Sequence, residues 1–320
     1  MGTVLVRSSH DLVAHGRTNL TTDLMQRFKA GTRIDFPTAA KKGVIVSAQL
    51  VFETWEHVMD LGISGRKAIV AGGSAGMGKA TALALAREGV ELTILARGEE
   101  RLVAAAREIA AETGTNVTPV VGDLNTPAGR ETVLKACPDP DILIISGGVP
   151  RMLSGYEEVT EKDWLGSFNS ELIGPVELIK ATVGGMVARG FGRVVNIASL
   201  AAKTPVEARL LSGSMRSALI NYSGVVARKL ASKNVTINNI LPGWFHTAGT
   251  RGLFESKAAA NGTTYDVEAQ RWADTVGIPT AKIGDPEDVG AFCALLSSRY
   301  ASYVVGQSIA MDGGLLRTVF

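Results

Sequence analysis

Seven short apolar runs alternate with segments of helical periodicity, and this alternation limits the fold of the 320-residue chain more than any other feature. Each run is almost continuously apolar, which is typical of strands covered on both faces in a parallel sheet flanked by helices. The predicted strands are 67–71, 91–96, 116–121, 141–146, 193–197, 235–241 and 307–311. The sequence therefore predicts an α/β fold: a doubly wound parallel sheet of about seven strands in a single domain.

The segments between the strands predict helices, the longest of which covers Glu161–Arg189. We expect this helix to bend or break at Pro175 and at Gly184-Gly185, because proline removes a helical hydrogen bond and glycine weakens a helix interior. Residues 247–280 show no regular period and predict a small irregular lobe over the carboxyl edge of the sheet. The other predicted helices are 78–87, 99–112, 128–136, 211–232 and 286–296.

The first 58 residues differ from the rest, since they show neither a sustained helical or strand period nor the pattern of a secretory signal. A short helix over 50–59 is the one element that they suggest. Residues 59–320 have the length of one α/β domain, so we expect residues 1–58 to be a mobile arm or an artefact of an upstream start codon. Peptides from this segment in the native protein would contradict the artefact.

Composition excludes several classes of protein. The net charge is +2 with 20% charged residues and no basic tract, which argues against a nucleic-acid surface. The apolar stretches are too short to predict a membrane span. Two cysteines fit a reducing compartment, and we expect a cytoplasmic protein. The four histidines lack partners at ligand spacing, so no metal site is expected.

The turn after the first predicted strand reads Gly72-Gly73-Ser74-Ala75-Gly76-Met77-Gly78. Glycines between a strand and a helix allow backbone N–H groups to approach a pyrophosphate at the helix N-terminus. A tight turn without a ligand would also use glycine, but the flanking strand and helix favour a nucleotide site. The residues predicted to bind the cofactor in this Rossmann-type turn are Gly72, Ser74, Gly76, Met77 and Gly78.

The residues after the second and third strands indicate which nucleotide binds. Arg97 stands at the end of the second strand. A carboxylate at this position would accept a hydrogen bond from a ribose 2′-hydroxyl, whereas a guanidinium can pair with a 2′-phosphate. We therefore predict NADP(H) rather than NAD(H). Arg101 either assists or is a solvated charge. Asp123-Leu124 lies where the adenine would contact the protein, although Asp123 could instead cap the next helix.

The motifs together resemble the short-chain dehydrogenase/reductase family over about residues 60–316. They are the glycine turn, Asp123-Leu124, Gly147-Gly148, Asn196-Ile197-Ala198-Ser199, Pro242-Gly243 and Asp312-Gly313-Gly314. The resemblance implies nicotinamide chemistry, a dimer or tetramer, and a substrate cleft under the lobe 247–280. It also implies cofactor contacts from Gly147, Gly148, Pro242, Gly243, Phe245 and Thr247, of which the last two would hold the carboxamide.

The chain departs from the family at the catalytic positions. Ser199 matches the family's serine, but its tyrosine falls on Ser212, its lysine on Arg216 and its helix asparagine on Glu171. No tyrosine in the chain has a lysine four residues later. The chain is therefore similar to a divergent, 3-oxoacyl-(acyl carrier protein) reductase-like branch that lacks the Tyr-x-x-x-Lys pair.

Two interpretations of this replacement remain open. In the first, Ser199, Ser212 and Arg216 form a cationic oxyanion site, Arg216 holds the ribose hydroxyls, and water or a ribose hydroxyl relays the proton. In the second, the chain binds NADP(H) without catalysis and acts as a regulatory or scaffold protein. Glu171 is either part of a proton relay, or a solvent-facing helix residue or ion-pair partner. His246 is either an acid near the nicotinamide or a solvent-facing residue.

The lobe and the C-terminus suggest the partners. Four aromatic residues in or beside the lobe predict a hydrophobic or acyl substrate with a carbonyl or secondary alcohol, unless they only pack the lobe. The apolar pairs Leu315-Leu316 and Val319-Phe320 would be exposed in a monomer, which favours a homo-oligomer, a tetramer or dimer. The four aromatic residues are Trp244, Phe254, Tyr265 and Trp272.

Overall fold

A seven-stranded parallel sheet forms the centre of the protein, as the sequence predicts. The computed structural model describes residues 59–147 and 152–318. The spatial order of the strands is β3-β2-β1-β4-β5-β6-β7. The expectations for residues 1–58 and for Gly148 lie outside the described residues. The strands are β1 (Lys67–Ala71), β2 (Glu91–Ala96), β3 (Val117–Val121), β4 (Ile142–Ser146), β5 (Gly192–Ile197), β6 (Val235–Pro242) and β7 (Ser308–Met311).

The strand order reverses between β1 and β4, which are neighbours in the sheet. In a parallel sheet of this kind, the loops that leave the carboxyl ends of these two strands diverge and open a crevice for a ligand. The chain therefore places its candidate site at the carboxyl edge, where the segments after β1, β4, β5 and β6 meet.

Nine α-helices are described, and most of them pack against the two faces of the sheet. Apolar side chains from the sheet and helices form one buried cluster on each face, so the strands are covered as their composition predicts. None of the described helices has the length and apolar character needed to cross a membrane. The helices are α1 (Gly76–Arg87), α2 (Glu99–Thr113), α3 (Pro127–Ala136), α4 (Glu161–Phe168), α5 (Gly174–Arg189), α6 (Leu210–Leu230), α7 (Ala248–Asn261), α8 (Tyr265–Val276) and α9 (Pro286–Ser297).

The expected break in the long helix lies at a different place from the glycine pair. A π-helical turn, Asn169–Ile173, separates α4 from α5, and the N–H of Gly174 donates to the carbonyl of Asn169 five residues earlier. Pro175 has no N–H to offer the carbonyl of Glu171, which explains the wider turn. Gly184-Gly185 lies inside the continuous helix α5, so that part of the prediction was wrong.

The lobe 247–280 is helical rather than irregular. Helices α7 and α8 enclose a small core in which Phe254 is fully buried. Several of the other buried positions are alanines, including Ala258, Ala269 and Ala273. Alanine marks an apolar face only weakly, so the helical period was missed in the sequence.

Candidate active site

The glycine turn is sterically required at two of its positions. A Cβ atom on Gly72 would lie 2.0 Å from the carbonyl oxygen of Ser146, the last residue of β4. A Cβ atom on Gly78 would lie 2.2 Å from the carbonyl oxygen of Gly72. Gly76 has a φ of 53°, in the left-handed region that favours glycine. These glycines bring the backbone close to the crevice between β1 and β4.

The turn leaves the start of α1 open to an anion. The residue before the helix, Ala75, provides no side-chain cap, so the first N–H groups of α1 lack a side-chain partner there. Ser74 is buried and Met77 packs against the apolar cluster on this face of the sheet. This arrangement is a cradle of the kind that binds phosphate groups at helix N-termini.

The segments after β2 and β3 leave the same carboxyl edge of the sheet as the glycine turn. Arg97 follows the last residue of β2 and is exposed, so its guanidinium is accessible to a ligand. Asp123 accepts the N–H of Asn125 at 3.0 Å, whereas Thr126 caps α3 by accepting the N–H of Gly129 at 3.1 Å. The alternative that Asp123 caps the helix was therefore wrong.

The segment after β6 forms the opposite wall. A Cβ atom on Gly76 would lie 3.6 Å from Cγ2 of Thr247, so the glycine turn and the start of α7 face each other closely. Phe245 is buried and forms an isolated β-bridge with Gly284. The N–H of Gly243 donates to the carbonyl of Met311. Thr247 is thus held on a fixed loop beside the cradle.

Glu171 is the centre of a buried polar cluster. Its carboxylate is fully buried and accepts bonds from Ser167 Oγ at 2.9 Å and Ser212 Oγ at 2.7 Å. Arg216 Nε donates to the same oxygen as Ser212, Oε2, at 3.0 Å. The structure therefore joins Glu171, Ser212 and Arg216, which the sequence proposed as site residues. Ser167 was missed, although its spacing of four from Glu171 on a helix was a usable signal.

Arg216 lies beneath the loop that follows β4. A Cβ atom on Gly147 would lie 2.6 Å from Nη2 of Arg216, so only glycine leaves room for the guanidinium. Among the described residues, Nη1 of Arg216 has no hydrogen-bond partner, although it is buried. Burial lowers the pKa of Arg216, and the neighbouring Glu171 opposes this shift. A buried donor without an acceptor is costly and fits a site that binds a ligand.

Ser199 follows β5 at the carboxyl edge of the sheet. Its Oγ accepts the N–H of Ala201 at 3.2 Å, which leaves its hydroxyl hydrogen free to donate elsewhere. A Cβ atom on Gly213 would lie 2.8 Å from the carbonyl oxygen of Ala201, so α6 packs tightly against the turn after Ser199. The glycine next to Ser212 therefore allows the two serine-bearing segments to meet.

His246 is engaged with the lobe. Its Nδ1 lies 2.6 Å from Tyr265 Oη, and burial raises the pKa of that phenol. Phe254 and Trp272 also pack within the lobe, where Trp244 and Trp272 meet edge to face with ring centroids 5.0 Å apart. These contacts favour the packing interpretation of the aromatic residues over direct cover of a substrate.

The described part of the chain contains no group of three His, Cys, Asp or Glu side chains placed to hold a metal ion. The fold and the site instead define a dinucleotide-binding protein: a doubly wound sheet, a glycine cradle at its switch point, and a polar cluster beside it. Comparisons with known proteins refine this class.

Residues 71–316 match the enoyl-(acyl carrier protein) reductase family. The NADPH-dependent reductase BacG of Bacillus subtilis is 30% identical over 264 residues, covering 80% of this chain and 100% of the relative. L-Sorbose reductase from Gluconobacter frateurii, solved with NADPH and L-sorbose, superimposes with a TM-score of 0.78 at 30% identity, covering 82% of this chain and 100% of that one.

A third similar structure is a short-chain oxidoreductase from Pseudomonas aeruginosa, solved with NADPH and described as containing an atypical catalytic center. Its TM-score is 0.73 at 25% identity, and the match covers 79% of this chain and 98% of that one. The chain belongs to the short-chain dehydrogenase/reductase family of oxidoreductases.

Proposed function

We propose that this protein is an NADP(H)-dependent oxidoreductase that interconverts a carbonyl and a secondary alcohol, with Ser212 and Arg216 in place of the family's tyrosine and lysine. The observation that carries the proposal is the buried cluster in which Glu171 accepts bonds from Ser212 and Arg216. A cluster of charged and hydroxyl groups beside a nucleotide cradle is suited to moving a proton.

The glycine cradle and Arg97 support the cofactor assignment. The cradle would hold the pyrophosphate, and Arg97 would pair with a 2′-phosphate. BacG is named as NADPH-dependent, and the sorbose reductase and the Pseudomonas structure contain NADPH. When bound, the nicotinamide supplies or accepts the hydride. Tighter binding of NADH than of NADPH in a titration would contradict the assignment.

Ser212 and Glu171 would provide the path for the proton. Because Ser212 Oγ donates to Glu171 Oε2, its oxygen can accept the hydroxyl proton of an alcohol substrate. In oxidation, the substrate proton passes to Ser212 as the proton of Ser212 passes to Glu171, while the hydride leaves the substrate carbon. In reduction each transfer is reversed, so Glu171 must first carry a proton.

Arg216 and Ser199 would stabilise charge on the substrate oxygen. The guanidinium of Arg216 is held by Glu171, and its Nη1, which has no partner among the residues that the structure describes, can donate to a ribose hydroxyl. Its positive charge stabilises negative charge that develops on a nearby oxygen, and the hydroxyl of Ser199 can donate to the same oxygen. Arg216 does not itself exchange protons near neutral pH, so it complements Ser212 rather than replacing it.

Glu171→Gln tests the proposed function because glutamine keeps the size of the side chain but cannot accept the proton. We expect wild-type protein to oxidise NADPH with some members of a panel of ketones and oxoacyl thioesters, and the variant to lose about 100-fold in kcat. Glu177→Gln, an exposed carboxylate on α5 that pairs with Lys180, is the matched control.

Two results would separate the proposed function from its alternative. No turnover by wild-type protein despite tight binding of NADPH would favour an NADP-binding regulatory or scaffold role. Equal activity of Glu171→Gln and wild type would remove Glu171 from the proton path. The comparisons favour the enzyme, because the named relatives are reductases.

We also propose a homo-oligomer, a dimer or tetramer, in the cytoplasm. Exposed apolar residues on the contacting helices α4 and α6 support an interface there: Leu165 is 56% exposed and Val225 is 53% exposed. The C-terminal residues support an oligomer less than expected, since Leu315 and Leu316 are half-buried and Val319-Phe320 lies outside the described residues. A monomeric mass by light scattering would contradict this proposal.

The aromatic residues of the lobe give less support than expected to a hydrophobic or acyl substrate. Phe254 is fully buried in the lobe, and Trp272 packs beside it. The sorbose reductase is described as binding L-sorbose, a polar ketone. The cluster around Glu171 supports a ketone or a secondary alcohol as the reacting group.

A further inference from the structure

The loop after β3 lies beside the residue proposed to hold the adenosine half of the cofactor. The N–H of Gly122 donates to the carbonyl of Ala96 at 3.0 Å, and Ala96 directly precedes Arg97. Asp123 and Leu124, which follow Gly122, are half-buried, so a ligand can reach them. An adenosine whose 2′-phosphate pairs with Arg97 would therefore lie against this loop.

The same loop packs against the π turn that carries Glu171. A Cβ atom on Gly174, the residue that closes this turn, would lie 3.1 Å from the carbonyl oxygen and 3.2 Å from Cγ of Leu124. Gly174 is buried at this contact. Nη1 of Arg130 donates to the same carbonyl of Leu124 at 2.9 Å and so ties the loop to α3. One close contact therefore links the position of the loop to the hydrogen bonding of the turn.

The π turn is one of two hydrogen-bonding patterns that this helical segment can adopt. In the structure, the N–H of Gly174 donates to the carbonyl of Asn169, five residues earlier. In a regular α-helix the same N–H would donate to the carbonyl of Ser170, and side chains on the two sides of the turn would rotate relative to each other by about 100°. The observed pattern joins Glu171 to Ser212. A contact that favours this pattern therefore favours one orientation of Glu171.

The hydrogen bonds of Asp123 fix the shape of the loop rather than its position relative to the π turn. Oδ1 of Asp123 accepts the N–H of Asn125, and the carbonyl of Asp123 accepts the N–H and the hydroxyl of Thr126. A ligand that binds one arrangement of a protein more tightly than another shifts the equilibrium towards that arrangement. Adenosine bound against the loop would therefore favour the arrangement in which Leu124 contacts Gly174.

We propose that Leu124 is a positioning residue, through which the adenosine half of the bound cofactor holds the π turn and directs Glu171 at Ser212. This rests on the proposed function, since Glu171 is taken to carry the proton. Binding of adenosine then raises kcat, although adenosine touches neither the substrate nor the reacting atoms. Leu124 and Gly174 are the two sides of the contact that transmits the effect.

A cofactor divided at its pyrophosphate tests this inference. Reduced nicotinamide mononucleotide carries the hydride, and adenosine 2′,5′-bisphosphate supplies the other half as a separate molecule. The substrate is a ketone that the protein reduces with NADPH. At saturating mononucleotide, we expect the bisphosphate to raise kcat of wild-type protein about tenfold, a typical size for coupling between two sites. An effect on binding of the mononucleotide alone would change KM and leave kcat as it is.

Gly174→Ala disrupts the transmitting contact from the side of the π turn, because its Cβ pushes against Leu124. We expect kcat with NADPH to fall about tenfold and the rise with the bisphosphate to disappear, while the affinity for the bisphosphate stays within about threefold of wild type. Gly166→Ala, on α4 before the π turn, is the matched control, since nothing lies within 4 Å of its Cβ. It should behave as wild type. An equal rise in kcat in both variants would overturn the role of Leu124.

Hydrogen exchange separates failure of this inference from failure of the proposed function. Exchange of the N–H groups at 170–174 reports on the π turn whether or not a substrate turns over. We expect the bisphosphate alone to slow this exchange about tenfold in wild type and to leave it unchanged in Gly174→Ala. Slowed exchange without turnover would support the coupling and contradict only the proposed function. Unchanged exchange in wild type with the bisphosphate bound, or turnover with no rise in kcat, would overturn the proposal.

Discussion

At the scale of single residues, the buried ion pair of Glu171 and Arg216 dominates the energetics of the site. Both side chains are at least 97% buried, and a buried charge that loses its partner is strongly unfavourable. The pair also holds Ser212, since both donors bond to the same carboxylate oxygen. Stability and the proposed proton path therefore depend on the same carboxylate.

Arg216→Gln should destabilise the protein by about 3 kcal/mol, because Glu171 is left charged and unpaired. The double variant Glu171→Gln, Arg216→Gln should be less destabilised than the sum of the two single variants, because no charge remains buried. Urea unfolding of the four proteins measures the coupling. Additive effects would mean that the two side chains do not interact as an ion pair in solution.

At the scale of elements, the π turn Asn169–Ile173 directs Glu171 into the site. One extra residue in a helical turn rotates the following side chains by about 100°, and such turns occur frequently at functional sites. The turn is stabilised by Pro175, which cannot provide the N–H that a regular α-helix would use at the carbonyl of Glu171. The orientation of one side chain is thus set by a residue four positions later.

Pro175→Ala should lower kcat about tenfold, because the restored N–H permits a regular α turn that rotates Glu171 away from Ser212. The change in unfolding free energy should stay near 1 kcal/mol, a typical value for a point substitution. Pro127→Ala, at an exposed first-turn proline of α3, is the control for loss of a proline ring. Unchanged kcat in Pro175→Ala would show that the π turn does not depend on the proline.

The glycine turn makes a second prediction at this scale. Gly72→Ala should weaken binding of NADPH more than tenfold and destabilise the protein by about 2 kcal/mol, because its Cβ would overlap the backbone of β4 and its φ is +83°. Gly184→Ala is the matched control, since nothing lies within 4 Å of its Cβ and it is inside α5. We expect that variant to be about 1 kcal/mol more stable than wild type. Normal NADPH affinity in Gly72→Ala, measured by fluorescence titration, would contradict the cradle.

At the scale of the whole molecule, the unfolding free energy depends on pH through the buried thiol of Cys293. Burial raises the pKa of this thiol from 9.0 to about 12 in the folded protein. The thiol ionises in the unfolded chain above pH 9 but stays neutral in the folded protein. Its contribution to stability is therefore complete below pH 9 and is lost as pH rises towards 12.

Between pH 8 and pH 10.5, wild-type protein should lose about 2 kcal/mol more stability than Cys293→Ala. The quantity compared is the change in unfolding free energy with pH in each protein. The destabilisation caused by the cavity that alanine leaves therefore cancels. Urea midpoints at the two pH values give the result. The same pH dependence in both proteins would show that the thiol ionises equally easily in the folded and unfolded states.

The sequence predicted the sheet closely because strand formation and burial follow from local composition. The predicted strands agree with the observed ones to within about a residue at each end. The glycine turn could also be predicted from the sequence. Backbone atoms close to Gly72 and Gly78 leave no room for a side chain at either position. The helices of the lobe were harder to predict from the sequence. Their buried faces contain alanines such as Ala269 and Ala273, which give only a weak apolar signal.

The chain's own sequence determined that this is a doubly wound α/β protein with a glycine turn after β1, because apolar periodicity and glycine positions act over short distances. Only the tertiary structure decided that Glu171 faces inward and meets Ser212 and Arg216, which lie 41 and 45 residues further along the chain. That meeting depends on a π turn and on the packing of α6 beneath the carboxyl edge. Contacts between distant segments are set by topology, so local sequence patterns do not specify them.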